Sequence, residues 1–287
     1  MSNYPLATWR LLRSDPADGA TNMAVDEAIQ RMVATGQVPP TLRFYAWEPA
    51  CLSLGRAQPL ADVNLEALRA AGYDLVRRPT GGRGILHVDE LTYSVVAPQV
   101  EPRVAGGIVE SYRRLSAGLM HGLEHLGIKG IAADRRTPLP PAGRAEESKP
   151  PPFAGEAGGG KSPVCFQVPS DYEITAMGRK LAGSAQMRAR SAVLQHGVLP
   201  LYGDITRICP LLTACPDPVR MHARATTIEQ ALGQPVTWDD VADALEAGFA
   251  EALNINLEPG TLTGEERAWV TRLRAEKYAT EEWTRRV

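Results

Sequence analysis

Gly178-Arg179-Lys180-Leu181-Ala182-Gly183-Ser184-Ala185-Gln186-Met187 is followed, four residues later, by Ala192-Val193-Leu194-Gln195-His196-Gly197-Val198-Leu199. Two apolar, small-residue runs with a short polar connection predict consecutive strands over 180–187 and 192–199. A third run, 172–177, precedes them and completes an antiparallel series. Upstream, helix and strand signals alternate. Asn22 is placed to cap a helix to about Thr35, and 42–47 and Cys51–Leu54 read as strands around a Glu-Pro turn. Asn64 caps a helix that Gly72 ends, strands follow at 73–77 and 91–97, and residues 108–126 carry a long apolar stripe of helical period. Downstream, Trp238–Leu253 is amphipathic, and Thr263-x-x-Glu266 is a capping box that opens a last helix. Neighbouring strands mixed with helices predict an α+β fold, a mixed and largely antiparallel sheet flanked by helices.

The chain has 287 residues, 44% hydrophobic and 22% charged, which suffices for a sizeable core. A net charge of −2 lacks the basic excess of a general nucleic-acid binder. The first 20 residues, with Arg10, Arg13, Asp15 and Asp18, hold no signal-sequence core, and no apolar run reaches membrane-spanning length. Cys51, Cys165, Cys209 and Cys215 are irregularly spaced, with no Cys-x-x-Cys pair, and read as free thiols of a cytoplasmic protein that uses no membrane.

Between residues 133 and 163 the pattern collapses under seven prolines and five glycines. The domain reading is therefore a catalytic domain over 1–258, with a disordered insertion at 135–162, and a C-terminal helical extension over 259–287. Inside the insertion, Gly155 to Ser162 matches the phosphate-loop pattern literally. Pro150-Pro151-Pro152 before it and Pro163 and Pro169 after it leave no strand and no helix, so the mechanism of such a loop is missing. His121 and His125 stand four apart on one helix without the further ligands of a metal site.

Two stretches carry chemistry. Arg77-Arg78-Pro79-Thr80-Gly81-Gly82-Arg83-Gly84-Ile85-Leu86-His87 follows a strand directly, and its adjacent glycines let backbone N–H groups approach a ligand. Cys165-Phe166-Gln167-Val168-Pro169-Ser170-Asp171-Tyr172-Glu173 supplies a thiol, and Lys180 a cation that would favour its thiolate.

With these motifs the chain resembles the biotin/lipoate protein ligase and lipoyl/octanoyl transferase superfamily. The resemblance runs through the Arg-Arg-Pro-Thr-Gly-Gly-Arg loop ending in His87, the Lys180 strand, Cys165 before Pro169, and Lys-Tyr-Ala-Thr-Glu-Glu-Trp near the C-terminus. It implies catalysis by Cys165 and Lys180, and substrate binding by Arg78, Gly81, Gly82, His87, Gly183, Ser184 and Ala185. The cysteine most resembles the octanoyltransferase branch, which takes octanoyl from acyl carrier protein and places it on a lipoyl-domain lysine, typically of the glycine cleavage H protein. Thioester exchange followed by amide formation needs no ATP, cofactor or metal. The competing readings are an ATP-dependent lipoate ligase, an amidotransferase between lipoyl domains, and a silent acyl-binding module.

Overall fold

The computed structural model describes residues 4–129, 131–134, 173–214 and 217–287. The first half runs β1 (Ala7–Arg13), α1 (Gly19–Ala34), β2 (Thr41–Tyr45), β3 (Cys51–Leu54), α2 (Leu65–Ala70), β4 (Asp74–Arg77), β5 (Ile85–His87), β6 (Glu90–Pro98) and α3 (Ile108–His125). Then come β7 (Ile131–Asp134), β8 (Glu173–Ala176), β9 (Arg179–Ala189) and β10 (Ala192–Pro200). The remainder is α4 (Pro218–Arg224), α5 (Ile228–Leu232), α6 (Trp238–Leu253), β11 (Ile255–Pro259), α7 (Gly264–Leu273) and α8 (Glu281–Arg285). The insertion at 135–162, its phosphate-loop match, Cys165 and Cys215 lie outside the described residues.

Eight strands form the main sheet in the order β11-β1-β2-β6-β10-β9-β8-β7, and β4-β3-β5 form a small second sheet. Pairing is parallel from β11 to β1 and from β1 to β2, and antiparallel from β2 onward. The mixed, largely antiparallel sheet is thus as the sequence predicts. β1 and β11 at one end and β7 at the other extend it beyond the strands that the sequence reading named.

Period two along the strands sorts the side chains between two layers. Leu91, Tyr93, Val95 and Ala97 of β6 join Leu115, Leu119 and Leu123 of α3 and Leu245 and Phe249 of α6 in one apolar core. The residues of opposite parity face α1. There Val96 and Leu194 pack on Val25 and Ile29, with Trp269 and Val270 of α7 against the same cluster. The other side of α1 presents Met23, Ala24 and Ala28 to Cys51 and Val76 of the small sheet, together with Leu273 and Tyr278. α1 is therefore wedged between two sheets, which explains why Asn22, Asp26, Glu27 and Gln30 are buried in it.

The cap of α1 differs from the sequence reading. Asp18, not Asn22, holds the position and accepts from the Thr21 amide. Asn22 is a fully buried helix residue whose Nδ2 donates to the carbonyls of Ala17 and Ala46, both at 3.0 Å. Its amide is used to bind the β1–α1 and β2–β3 connections. Cys51 and Cys209 are buried thiols, and burial pushes the Cys51 thiol well above its ordinary pKa. Among the described residues no helix is long and apolar enough to cross a membrane.

Candidate active site

Two consecutive arginines shape the glycine loop from opposite sides. Arg78 is buried. Its Nη1 donates to the carbonyl and hydroxyl of Ser53 at 2.7 and 2.6 Å, and its Nη2 to the carbonyls of Gly81 and Arg83 at 3.1 and 2.9 Å. The loop is thus wound around a guanidinium that takes up its carbonyls. Gly82 sits at φ 94°, in the region that disfavours a side chain, and a Cβ on Gly55 would lie 2.0 Å from the Gly82 oxygen. Arg77 points the other way, donating to the carbonyls of Gly55 (2.8 Å), Gln58 (2.6 Å) and, through Nη2, Thr284 (2.7 Å). The Trp283 indole returns a hydrogen bond to the Arg77 carbonyl at 2.8 Å. The C-terminal segment is therefore part of the frame of this loop.

Two histidines stand behind it, each held at both ring nitrogens. His87 Nδ1 meets Glu90 Oε1 at 2.8 Å, its Nε2 meets Ser53 Oγ at 2.6 Å, and its ring stacks on Trp47 at 3.8 Å. Burial pushes its pKa down; Glu90 pulls it up, and the nearby Arg78 and His196 push it down again, so that it ends below 6.5. A neutral ring then donates from Nδ1 to the Glu90 carboxylate and accepts the Ser53 hydroxyl at Nε2. His196 spans from Asp26 Oδ2 (3.1 Å, through Nδ1) to Thr80 Oγ1 (2.6 Å, through Nε2). Asp26 also takes Arg43 Nη1 at 2.8 Å, the Ser94 hydroxyl at 2.9 Å and the Tyr45 hydroxyl at 3.0 Å. Burial alone would raise the Asp26 pKa, but the His196 hydrogen bond and the Arg43 charge reverse this and hold it ionised.

Between loop and sheet lies a small, mostly apolar pocket. Arg78, Gly82 and His87 border it on the loop side, and Gly183, Ser184 and Ala185 on the β9 side. Six sequence-predicted residues separated by about a hundred positions thus converge on one cavity. Gly81 is an exposed loop residue outside its lining, contributing a carbonyl to Arg78. Where β9 meets β8, pairing passes from Ala182 opposite Ile174 to Lys180 opposite Thr175, so Leu181 is a bulged residue. The bulge restores Lys180 to the face of Gly183 and Ala185; the residue is 4% exposed and does not line the cavity. Cys165 falls outside the described residues. On the opposite face, Tyr93 OH pairs with Ser184 Oγ at 2.8 Å and accepts from Gln195 at 2.9 Å, which pins the pocket strands together.

The sequence reading quoted His196 without assigning it, and gave no role to Asp26, Trp47 or Thr92. The signal for Asp26, Thr92 and His196 was a polar residue inside an otherwise apolar element. His121 and His125 are half-exposed and both approach Glu251, at 3.6 and 3.1 Å. Among the described residues no cluster of side chains could hold a metal ion.

A family model described as the lipoyl protein ligase A/B catalytic domain matches residues 18–250, and the chain belongs to that family. Its relatives point to one branch. Octanoyltransferase LipM of Kyrpidia tusciae is 43% identical, over 98% of this chain and 100% of that protein. Octanoyltransferase LipM of Bacillus subtilis is 38% identical, over 96% and 97%. Among solved structures, lipoate-protein ligase A bound with ATP superposes with a TM-score of 0.76 at 25% identity, covering 97% of this chain and 98% of that one. A lipoate ligase-type protein of T. acidophilum with bound lipoic acid gives 0.75 at 25%, covering 98% and 99%.

Proposed function

We propose that this chain is an octanoyltransferase that carries the acyl group on Cys165 between octanoyl-acyl carrier protein and the lysine of a lipoyl domain, that of the glycine cleavage H protein. The observation that carries the reading is the apolar pocket between Arg78, Gly82 and His87 on one side and Gly183 to Ala185 on the other. An apolar cavity with a few fixed polar groups at its rim suits an alkyl chain that ends in a carbonyl. A structural neighbour holds lipoic acid, an eight-carbon acid, in the same fold.

The thiolate of Cys165 attacks the donor carbonyl carbon, the bond from that carbon to the carrier sulfur breaks, and the carrier sulfur leaves as a thiolate that takes up the proton Cys165 gave to solvent. The neutral acceptor amine then attacks the new thioester, the bond to Cys165 sulfur breaks, the amine gives up one proton to solvent as the amide forms, and Cys165 returns as the thiolate. Lys180, buried on the pocket face of β9, stabilises that thiolate and the oxyanion of each tetrahedral intermediate. His87, neutral and hydrogen-bonded at both nitrogens, orients the loop and does not compete for the proton. The second step is downhill because an amide is more stable than a thioester.

The test is intact mass. Donor alone should add one octanoyl group that hydroxylamine removes, and Cys165→Ala should not acquire it. Acceptor octanoylation should proceed without ATP or magnesium. Product formed only with free acid and Mg-ATP, surviving Cys165→Ser, would make the protein a ligase.

A further inference from the structure

A second concavity opens on the outer side of the glycine loop. Pro79 borders it, and Arg56, Arg190, Lys277 and Arg286 converge on it around Trp283. The three arginines are exposed. Glu27 is the one carboxylate in its lining, and it is already committed. Lys277 Nζ lies 2.6 Å from it, Arg31 Nη2 2.7 Å, the Tyr278 hydroxyl 2.7 Å, and Arg190 Nη2 3.6 Å. Arg56 and Arg286 have no carboxylate within 4 Å among the described residues. Arg286 rests instead on the Trp283 ring at 4.4 Å, which orders the cation without neutralising it, and Lys277, paired with Glu27, packs on the same ring at 4.1 Å. The uncompensated charge is felt by its neighbours: burial lowers the pKa of Arg77, and Arg286 lowers it further. A concave surface of converging cations raises the local concentration of anions, and the planar guanidinium fork fits phosphate oxygens.

The groove and the pocket are built on the same loop and the same strand. Pro79 stands between Arg78, which borders the pocket, and Thr80, which His196 holds. On β9, Ala185 borders the pocket and Ala189 the groove, a separation of about 13 Å at about 3.3 Å per residue. A single extended ligand with an apolar end and an anionic group further along its chain would fill both. Resting on the octanoyl-transfer reading, we infer that this groove holds the phosphodiester through which an acyl carrier bears its thiol-ended prosthetic arm. It makes the donor arm, and not only its acyl group, a recognised part of the substrate.

The experiment compares octanoyl-phosphopantetheine with octanoyl-pantetheine, which differ only in the phosphate, using the rate of octanoyl adduct formation by intact mass. The wild type should prefer the phosphorylated donor by about tenfold in kcat/KM. The exposed double variant Arg56→Gln/Arg190→Gln, checked for an unchanged Tm, should bring that preference close to one, as should raised ionic strength. Equal use of both donors by the wild type, failure of both while the carrier reacts, or a preference that survives in the double variant overturns the inference. So does a loss confined to the intact carrier protein, which would assign the cations to an acidic protein surface. If the wild type takes octanoyl from no thioester at all, the transferase reading is what has failed.

Discussion

The two faces of the main sheet share their strands and differ in almost everything else. On the α3/α6 face, β6 contributes Leu91, Tyr93, Val95 and Ala97 to an apolar core. One residue out of step, the same strand turns Thr92 toward Trp47 and Ser94 toward Asp26, into a buried polar network that includes Arg43, Tyr45 and His196. Apolar contacts tolerate small shifts because they have no direction. A hydrogen-bonded charge network has one satisfactory arrangement, and it is costly when a member is missing. One layer tolerates small shifts, and the other fixes positions and is costly to break.

Deleting one member from each face should separate these roles. Asp26→Ala leaves Arg43 buried without its carboxylate and His196 without its anchor, and should cost about 4 kcal/mol in urea denaturation. Leu119→Ala, fully buried in the apolar layer, should cost about 3 kcal/mol, with the folded fraction keeping its adduct-forming rate. A Leu119 variant as slow as it is unstable would show that the faces are not independent. The comparison sharpens with His196→Ala, which frees Thr80 and so the glycine loop. It should lower adduct formation by about a hundredfold, because a displacement of about 1 Å at a reacting centre has that consequence, while costing less stability than Asp26→Ala, which also strands the Arg43 charge. An equal fall in both quantities would reduce His196 to packing.

The smallest effect is one of pH. Burial pushes the Glu27 pKa up, but hydrogen bonds from Lys277, Tyr278 and Arg31 bring it from 4.5 to about 2. A depressed carboxylate stabilises the fold fully above the unfolded value and progressively less as pH falls from about 4.5 toward 2. Glu27→Gln should therefore be less stable than wild type at neutral pH, and the two acid-denaturation curves should converge over that window. Parallel curves would mean that Glu27 is not ionised against its cations.

What the sequence made legible follows the same division. α3 and α6 bury one face, so their periodicity reads directly, and Trp238–Leu253 has the boundaries that its pattern predicts; β6, β8, β9 and β10 read as apolar, small-residue runs between turn signals, whereas β7 was not read. α1 was placed but miscapped, because a helix covered by two sheets buries Asn22, Asp26 and Gln30 and loses its polar stripe. β1 is interior to the sheet and buries Leu11 and Leu12 on opposite faces, so no alternation marks it, and β11 buries only Ile255. The glycine loop and β9 announced themselves by composition. The Asp26–His196–Thr80 chain did not, since its members lie 170 and 116 residues apart and each alone resembles an ordinary polar residue.

Arg77 joins the start of the glycine loop to the backbone of Thr284, 207 residues downstream. A ribosome delivers the loop long before it delivers that acceptor. Through most of synthesis the guanidinium of Arg77 lacks a partner that it has in the finished molecule, and the loop next to it lacks its outer wall. The loop therefore gains its outer frame only once residue 284 has emerged, and incomplete chains carry the glycine loop without the contact that braces it in the finished molecule.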